Sequence, residues 1–256
     1  MPAPKAFPPD FKQAAAVRPS PNHGPRRVGR RPDIIVLHYT GMPDADGALA
    51  RLCDPSAEVS AHYLIEEDGR VTQLVPEARR AWHAGESSWE GKRDVNSRSI
   101  GIEIANPGHE FDYADFPPRQ IEAAAGLCRD IIARHAIRAE RVLAHSDVAP
   151  SRKQDPGEKF PWDQLHRAGV GHWVPPAPIS QGPVLKRCDG GEQVASLQAM
   201  LARYGYGIAV SGEYDAETEA VVAAFQRHFR PARVDGIADG STLTTLTDLI
   251  AARPRA

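Results

Sequence analysis

The stretch from Leu143 to Trp162, LAHSDVAPSRKQDPGEKFPW, concentrates residue types that can do chemistry. Its twenty positions hold one His, two Asp, two Lys, one Arg and three Pro. Polar crowding around prolines is typical of a rigid functional loop. His145 and Asp155, ten residues apart, are of the types that ligate a metal ion or move a proton.

A third residue of this kind ends an apolar run, where His38 lies in RPDIIVLHYT. An imidazole at the carboxyl end of a buried strand is positioned for a metal or for proton transfer. A catalytic zinc takes three nitrogen or oxygen ligands and leaves a fourth position for water. His38, His145 and Asp155 are therefore our candidate ligands. The residue pattern alone leaves another interpretation open, in which both histidines are hydrogen-bonded core residues and Asp155 caps a turn before Pro156.

The pattern around these residues predicts alternating strands and helices up to residue 169. We predict strands over 31–40, 98–106 and 141–147, a hairpin over 61–76, helices over 46–54 (capped by Asp46) and 117–135, and a helix start at Pro161-Trp162. Alternation in the 98–106 strand sends Ile100, Ile102 and Ile104 to one face and Glu103 to the other. This order of elements predicts an α/β fold with a mixed central sheet flanked by helices.

The chain changes character after residue 169. The stretch 170–184, VGHWVPPAPISQGPV, has four prolines and predicts a semi-rigid linker. Amphipathic periodicity then predicts helices over 192–205, 215–230 and 240–252. We therefore predict a domain over 1–169 with an extended N-terminal segment to about residue 31, the linker, and a small all-α three-helix domain over 185–256.

Composition limits the partners and the compartment. Thirty-one Lys and Arg against thirty-three Asp and Glu give a net charge of -2, which offers no electrostatic case for nucleic acid or an anionic membrane. No apolar run approaches the roughly 18 residues of a membrane span. Three cysteines without a CxxC pair argue against a disulfide framework or a Cys-ligated zinc. We expect a monomer. We also expect a cytoplasmic location, because the chain begins with Met1 and shows no signal segment; the alternative is the periplasm, if a signal has been removed.

Five strings together resemble the zinc-dependent N-acetylmuramoyl-L-alanine amidases: IIVLHYTG, VSAHYLIEEDG, RAWHAG, SIGIEIANPG and AHSDVAPSRKQDPGEKFPW. The likeness runs from about Ser20 to about Leu165. It implies the fold of that family and hydrolysis of the amide bond between the lactyl group of N-acetylmuramic acid and L-alanine of the stem peptide. It also implies three Zn²⁺ ligands, which are His38, His145 and Asp155.

The resemblance assigns roles to further residues. Glu103 matches the family's catalytic carboxylate, which would take a proton from the attacking water and return it to the leaving amine. Lys153 matches its catalytic lysine, a cation suited to stabilising an oxyanion. His83, Asn106 and Tyr39 are candidates for substrate contacts, although Asn106 has the alternative role of ending its strand.

The C-terminal segment resembles the three-helix peptidoglycan-binding module, through LQAMLARYGY, GEYDAETEAVVAAFQ and DGIADGSTL. The expected partner is thus the peptidoglycan sacculus or its fragments; a merely stabilising or oligomerising bundle is the alternative. The rival for the whole chain is a non-catalytic peptidoglycan-recognition protein, since animal proteins of this fold bind without cutting. A missing ligand would favour that rival, and all three candidate ligands are present here.

Overall fold

The computed structural model describes residues 6–27 and 31–253. Its strands are β1 (Ala16–Val17), β2 (His23–Pro25), β3 (Ile34–Tyr39), β4 (Tyr63–Ile65), β5 (Val71–Gln73), β6 (Arg79–Ala81), β7 (Ser88–Trp89), β8 (Lys92–Arg93), β9 (Ser99–Ile104) and β10 (Val142–Ala144). Its α-helices are α1 (Ala45–Cys53), α2 (Pro118–His135), α3 (His145–Val148), α4 (Trp162–Arg167), α5 (Glu192–Tyr204), α6 (Ala216–Phe229) and α7 (Gly240–Ala251).

Six strands form the central sheet in the order β1-β5-β4-β9-β3-β10. The strands β4, β9, β3 and β10 run parallel to one another, whereas β5 is antiparallel to β4 and parallel to β1. The predicted mixed sheet is confirmed, and so is the hairpin, which is β4-β5. Because β3 and β9 are central and covered on both faces, their sequences are nearly continuous in apolar residues.

Each face of the sheet has its own core. On one face, Ile35 and Ile102 pack in a buried cluster with apolar residues of α2, among them Ile121 and Leu127. Pro118 opens α2, where the fixed φ of proline suits the first helical position. This helix closes the sheet on the side away from the C-terminal segment.

The C-terminal module, by which we mean residues 185–253, packs toward the other face, with α6 in contact with α3. Ile34 and Val36 of β3 belong to one buried cluster with Val221 and Phe225 of α6. The three predicted helices are confirmed as α5, α6 and α7. Residues 170–184 contain no helix or strand and lie along α7, where Ala177 N donates to Thr245 Oγ1 at 3.0 Å.

Three details differ from the sequence-based prediction. Asp44 rather than Asp46 caps α1, because Asp44 has the extended backbone that lets its side chain accept from Gly47 N. The strand predicted over 141–147 ends at Ala144, since the Asp147 side chain accepts from Ala144 N and closes the helical turn α3.

The third difference lies in the N-terminal segment. It was predicted only as extended, and in the structure it contributes β1 to the edge of the central sheet and β2 to a pair with β6. Residues 1–5 and 28–30 of that predicted segment lie outside the described residues. No helix in the described ranges is both long and apolar enough to span a bilayer.

Candidate metal and catalytic site

Three side chains converge where β3 and β10 end. His38 is the penultimate residue of β3, His145 follows β10 directly, and Asp155 lies in the loop after α3. Neighbouring parallel strands end at the same sheet edge, which brings the two histidines together. His38 Nδ1, His145 Nδ1 and Asp155 Oδ2 form a triangle with every side 2.9 Å. The three predicted ligands are thus adjacent and buried.

The outer nitrogen of His145 indicates its tautomer. Its Nε2 lies 3.3 Å from the carbonyl oxygen of Ala84, which can only accept a hydrogen bond. Nε2 therefore carries the proton, and Nδ1 turns a lone pair toward the triangle. A metal-binding histidine commonly donates its other N–H to a carbonyl in this way.

His38 is oriented by a longer chain of hydrogen bonds. Ser99 Oγ donates to Val95 O at 2.7 Å, so it accepts from Nε2 of His83 at 3.1 Å. His83 Nδ1 is then an acceptor for His38 Nε2–H at 3.0 Å. The lone pair of His38 consequently lies on Nδ1, which faces His145 and Asp155.

The charge states suit metal binding. Burial, reinforced by the nearby His145, lowers the pKa of His38 to about 4. A neutral imidazole and an ionised carboxylate are the forms that ligate a metal ion.

The donor set also fits zinc in its dimensions. Zinc bonds of about 2.0–2.1 Å in a tetrahedral site place ligand atoms about 3.3 Å apart. The sides of 2.9 Å are within a few tenths of an ångström of this spacing. Two imidazole nitrogens and one carboxylate oxygen match the ligands of catalytic zinc.

Glu103 stands beside this triangle. It pairs with His38 across β9 and β3. Its Oε2 is buried and has no hydrogen-bond partner among the described residues. Burial, with a further contribution from Asp155, raises its pKa well above the ordinary value of 4.5. A carboxylate in this state is suited to exchanging protons with a reacting group.

These residues line a cavity of about 640 Å³, which is within the usual range for ligand sites. Lys153 contributes to its wall, as do the predicted contact residues Tyr39 and His83. Tyr39 is hydrogen bonded through its hydroxyl to His109 Nδ1 at 3.0 Å. Both ring nitrogens of His83 are occupied by His38 and Ser99, so its first role is to orient His38.

The side chain of Asn106, the remaining predicted substrate contact, is hydrogen bonded within its own loop. Its amide nitrogen donates to Ala114 O at 2.9 Å and its side-chain oxygen accepts from Gly108 N at 2.9 Å. Both polar groups are thus used to shape the loop after β9. Sequence reasoning missed Trp82 and Arg152 of the cavity wall. The RAWHAG string around His83 was the available signal for Trp82.

Two segments of the chain match known family profiles. Residues 28–158, just over half of the 256 residues, match that of N-acetylmuramoyl-L-alanine amidase. The chain belongs to the N-acetylmuramoyl-L-alanine amidase family. Residues 190–246 match the profile described as a putative peptidoglycan binding domain. The family predicted from the five strings, its enzyme class and the C-terminal peptidoglycan-binding match are therefore confirmed.

Individual relatives support this family assignment. N-acetylmuramoyl-L-alanine amidase AmiD of Escherichia coli is 42% identical over 221 residues, which are 82% of this chain and 79% of AmiD. The 1,6-anhydro-N-acetylmuramyl-L-alanine amidase AmpD of Enterobacter cloacae is 34% identical over 165 residues. The aligned part is 58% of this chain and 86% of AmpD.

Solved structures agree in fold. The E. coli AmiD complex with anhydro-N-acetylmuramic acid-L-Ala-D-gamma-Glu-L-Lys has a TM-score of 0.74 at 38% identity, over 91% of this chain and 92% of that one. The structure of AmpDh3 from Pseudomonas aeruginosa also has a TM-score of 0.74, at 31% identity over 90% of this chain and 95% of its own. Coverage of 90% or more of this chain extends beyond residues 28–158 of the amidase match.

Proposed function

We propose that this amidase hydrolyses the amide bond between the lactyl group of N-acetylmuramic acid and L-alanine, with zinc held by His38, His145 and Asp155. One observation carries the proposal. Two imidazole nitrogens and one carboxylate oxygen lie 2.9 Å from one another, next to a buried Glu103 oxygen without a partner among the described residues. Ligands and a proton acceptor are the parts that metal-assisted hydrolysis needs.

Glu103 would handle the proton. Bound zinc would supply a water whose pKa is lowered to about 7 and would polarise the scissile carbonyl. Glu103 takes one proton from the attacking water as the C–O bond forms. It returns that proton to the leaving nitrogen as the C–N bond breaks, which yields a free L-alanine amino group. Its buried position keeps bulk water from competing for this proton.

Lys153 would act on the oxyanion. It lies two residues before the ligand Asp155 and lines the same cavity. Its ammonium group is a donor and a charge for the oxygen of the tetrahedral intermediate. This role needs only a positive charge near the oxygen, which lysine supplies, and not the planar two-donor geometry of an arginine guanidinium.

The substrate class follows from the cavity and the relatives. A volume of about 640 Å³ accommodates a sugar with part of a peptide. The structure of the relative AmiD contains anhydro-N-acetylmuramic acid-L-Ala-D-gamma-Glu-L-Lys. We therefore propose peptidoglycan or its anhydro and ordinary muropeptide fragments as substrate, in cell-wall turnover or recycling.

The domain division belongs to the same proposal. Residues 1–169 would form the catalytic part, 170–184 the linker and 185–256 the part that binds peptidoglycan. Three further points stay predictions: the chain is a monomer, it is located in the cytoplasm, and it has no nucleic acid partner. Cell fractionation and sedimentation of the purified chain test the compartment and the oligomeric state.

Mass spectrometry of digested muropeptides tests the proposed activity. We expect release of the stem peptide with a free L-alanine amino group, loss of this release with a chelator, and its return with Zn²⁺. An unchanged muropeptide mass would instead indicate a recognition protein without catalysis. Full activity in a zinc-free preparation would contradict the zinc mechanism.

A further inference from the structure

Asp147 of α3 is a fully buried carboxylate that connects the metal site to the C-terminal module. Its Oδ2 accepts from Ala144 N at 2.8 Å and lies 2.7 Å from Nδ1 of His228. Its Oδ1 accepts from the hydroxyl of Tyr206 at 2.7 Å. His228 and Tyr206 both belong to the module. Two of these three donors to Asp147 therefore come from outside the predicted catalytic part.

The short helix α3 in turn holds two of the candidate ligands. His145 is its first residue. Ser146 N donates to the carbonyl oxygen of Asp155 at 3.0 Å, which ties the backbone of Asp155 to the same turn. A rotation or shift of α3 would consequently move His145 and Asp155 together. Only His38, on β3, would keep its place.

The module presents its two donors from fixed positions. The His228 ring is buried and stacks on Trp162 with a centroid distance of 3.7 Å and an interplanar angle of 23°. The Tyr206 ring packs edge-on against Trp89 at 5.2 Å. Gly205 O, next to Tyr206, accepts from Glu90 N at 2.8 Å. These contacts leave the donors little freedom to follow a displaced Asp147.

We infer that His228 and Tyr206 of the C-terminal module are positioning residues for the zinc site, which they stabilise by holding Asp147 and thereby α3. This inference rests on the proposed function. Neither residue touches the three ligand atoms, so the effect passes through the backbone of α3. The module would then serve metal binding within the same chain, whatever its outer surface binds.

We take the expected size of the effect from residues that hydrogen bond to metal ligands. Loss of such a residue typically weakens metal binding 10- to 100-fold. We expect zinc to bind about tenfold more weakly to full-length Tyr206→Phe and His228→Leu. His228→Asn should largely restore the affinity, because the Asn amide nitrogen is attached to Cγ as His Nδ1 is. The matched control is Tyr204→Phe, which removes another buried hydroxyl of the module, one that is 3.0 Å from His172 Nδ1 and not hydrogen bonded to Asp147.

The test is a titration of Zn²⁺ against a chromogenic chelator, with the unfolding temperature of each metal-free variant measured in parallel. Cobalt(II) absorption spectra, which respond to coordination geometry, give an independent measure. Tyr206→Phe and Tyr204→Phe should lower the unfolding temperature by similar amounts. Only Tyr206→Phe should weaken zinc binding and alter the cobalt spectrum. Equal zinc affinities in these two variants and in His228→Leu would overturn the inference. A wild-type chain that binds no zinc would instead overturn the proposed function.

Discussion

Nε2 of His38 lies 3.0 Å from Nδ1 of His83, and this contact fixes which nitrogen of His38 faces the other two candidate ligands. The ring of His83 is itself fixed by Ser99 Oγ at 3.1 Å. The histidine thus contributes to the metal site without contributing a ligand atom. Partners of this kind raise the basicity of the ligand and hold its ring in place.

Replacement of His83 by Phe tests this contact. The variant leaves His38 Nε2–H without an acceptor, so we expect zinc affinity to fall about 10- to 100-fold. Chelator competition gives the dissociation constant. His109→Phe is the control, since His109 lines the same cavity but bonds to Tyr39 and Glu158. Equal affinities in the two variants would show that His83 does not support His38.

Glu103→Gln separates proton transfer from metal binding. The amide keeps the size of the side chain but cannot accept a proton, so turnover should fall about 10²- to 10⁴-fold. The zinc content should stay at the wild-type level, because Glu103 contributes none of the three converging atoms. Asp155→Ala should lose both zinc and turnover. Metal analysis and the rate of stem-peptide release measure the two effects, and wild-type turnover in Glu103→Gln would remove Glu103 as the base.

The parts of the site that follow regular strands were predictable from sequence. His38 and Glu103 end or lie within apolar strands, and parallel strands deliver their carboxyl ends to one edge. The neighbours of these residues were harder to assign. His83 lies in a loop without periodicity, and its role depends on Gly101, where an added Cβ would come within 2.4 Å of the His83 ring. Only the folded chain shows this close approach.

The C-terminal module shows a second limit of sequence reasoning. Helical periodicity identified its buried faces correctly, and it predicted a small separate bundle. In the structure its buried residues also belong to a cluster that reaches the sheet and includes Ile34 and Val36 together with Phe225. A hydrophobic pattern states that a face is buried but not what buries it.

The buried carboxylate of Glu77 should make the stability of the fold depend on pH. Burial on its own raises its pKa, but hydrogen bonds from His135, Arg134 and Tyr63 outweigh burial and hold the pKa at about 2, against 4.5 ordinarily. The ionised form is thus favoured in the folded state. Its contribution, on the order of 3 kcal/mol, is complete above pH 4.5 and disappears as the pH falls toward 2. Glu77→Gln should be less stable at pH 7 by about this amount and should lose that part of the acid dependence.

Urea unfolding at a series of pH values between 2 and 7 measures the effect of Glu77→Gln. Glu219→Gln is a matched control, because Glu219 forms an exposed ion pair with Arg187 and such pairs contribute about 0–1 kcal/mol. Parallel pH curves for wild type and Glu77→Gln would contradict the assignment.

Gly205→Ala tests the docking of the C-terminal module. Gly205 has φ +142°, which disfavours a side chain, and an added Cβ would come within 2.5 Å of the Trp89 ring. Overpacking of this kind costs about 1–3 kcal/mol, so the free energy of unfolding should fall by at least that much. Gly126→Ala is the control within α2, where nothing lies within 4 Å of the added Cβ and alanine should stabilise the helix by about 0.4–1 kcal/mol. Urea unfolding measures both. Because Gly205 precedes Tyr206, the same variant should also weaken zinc binding. Unchanged stability in Gly205→Ala would show that the module is not held against Trp89.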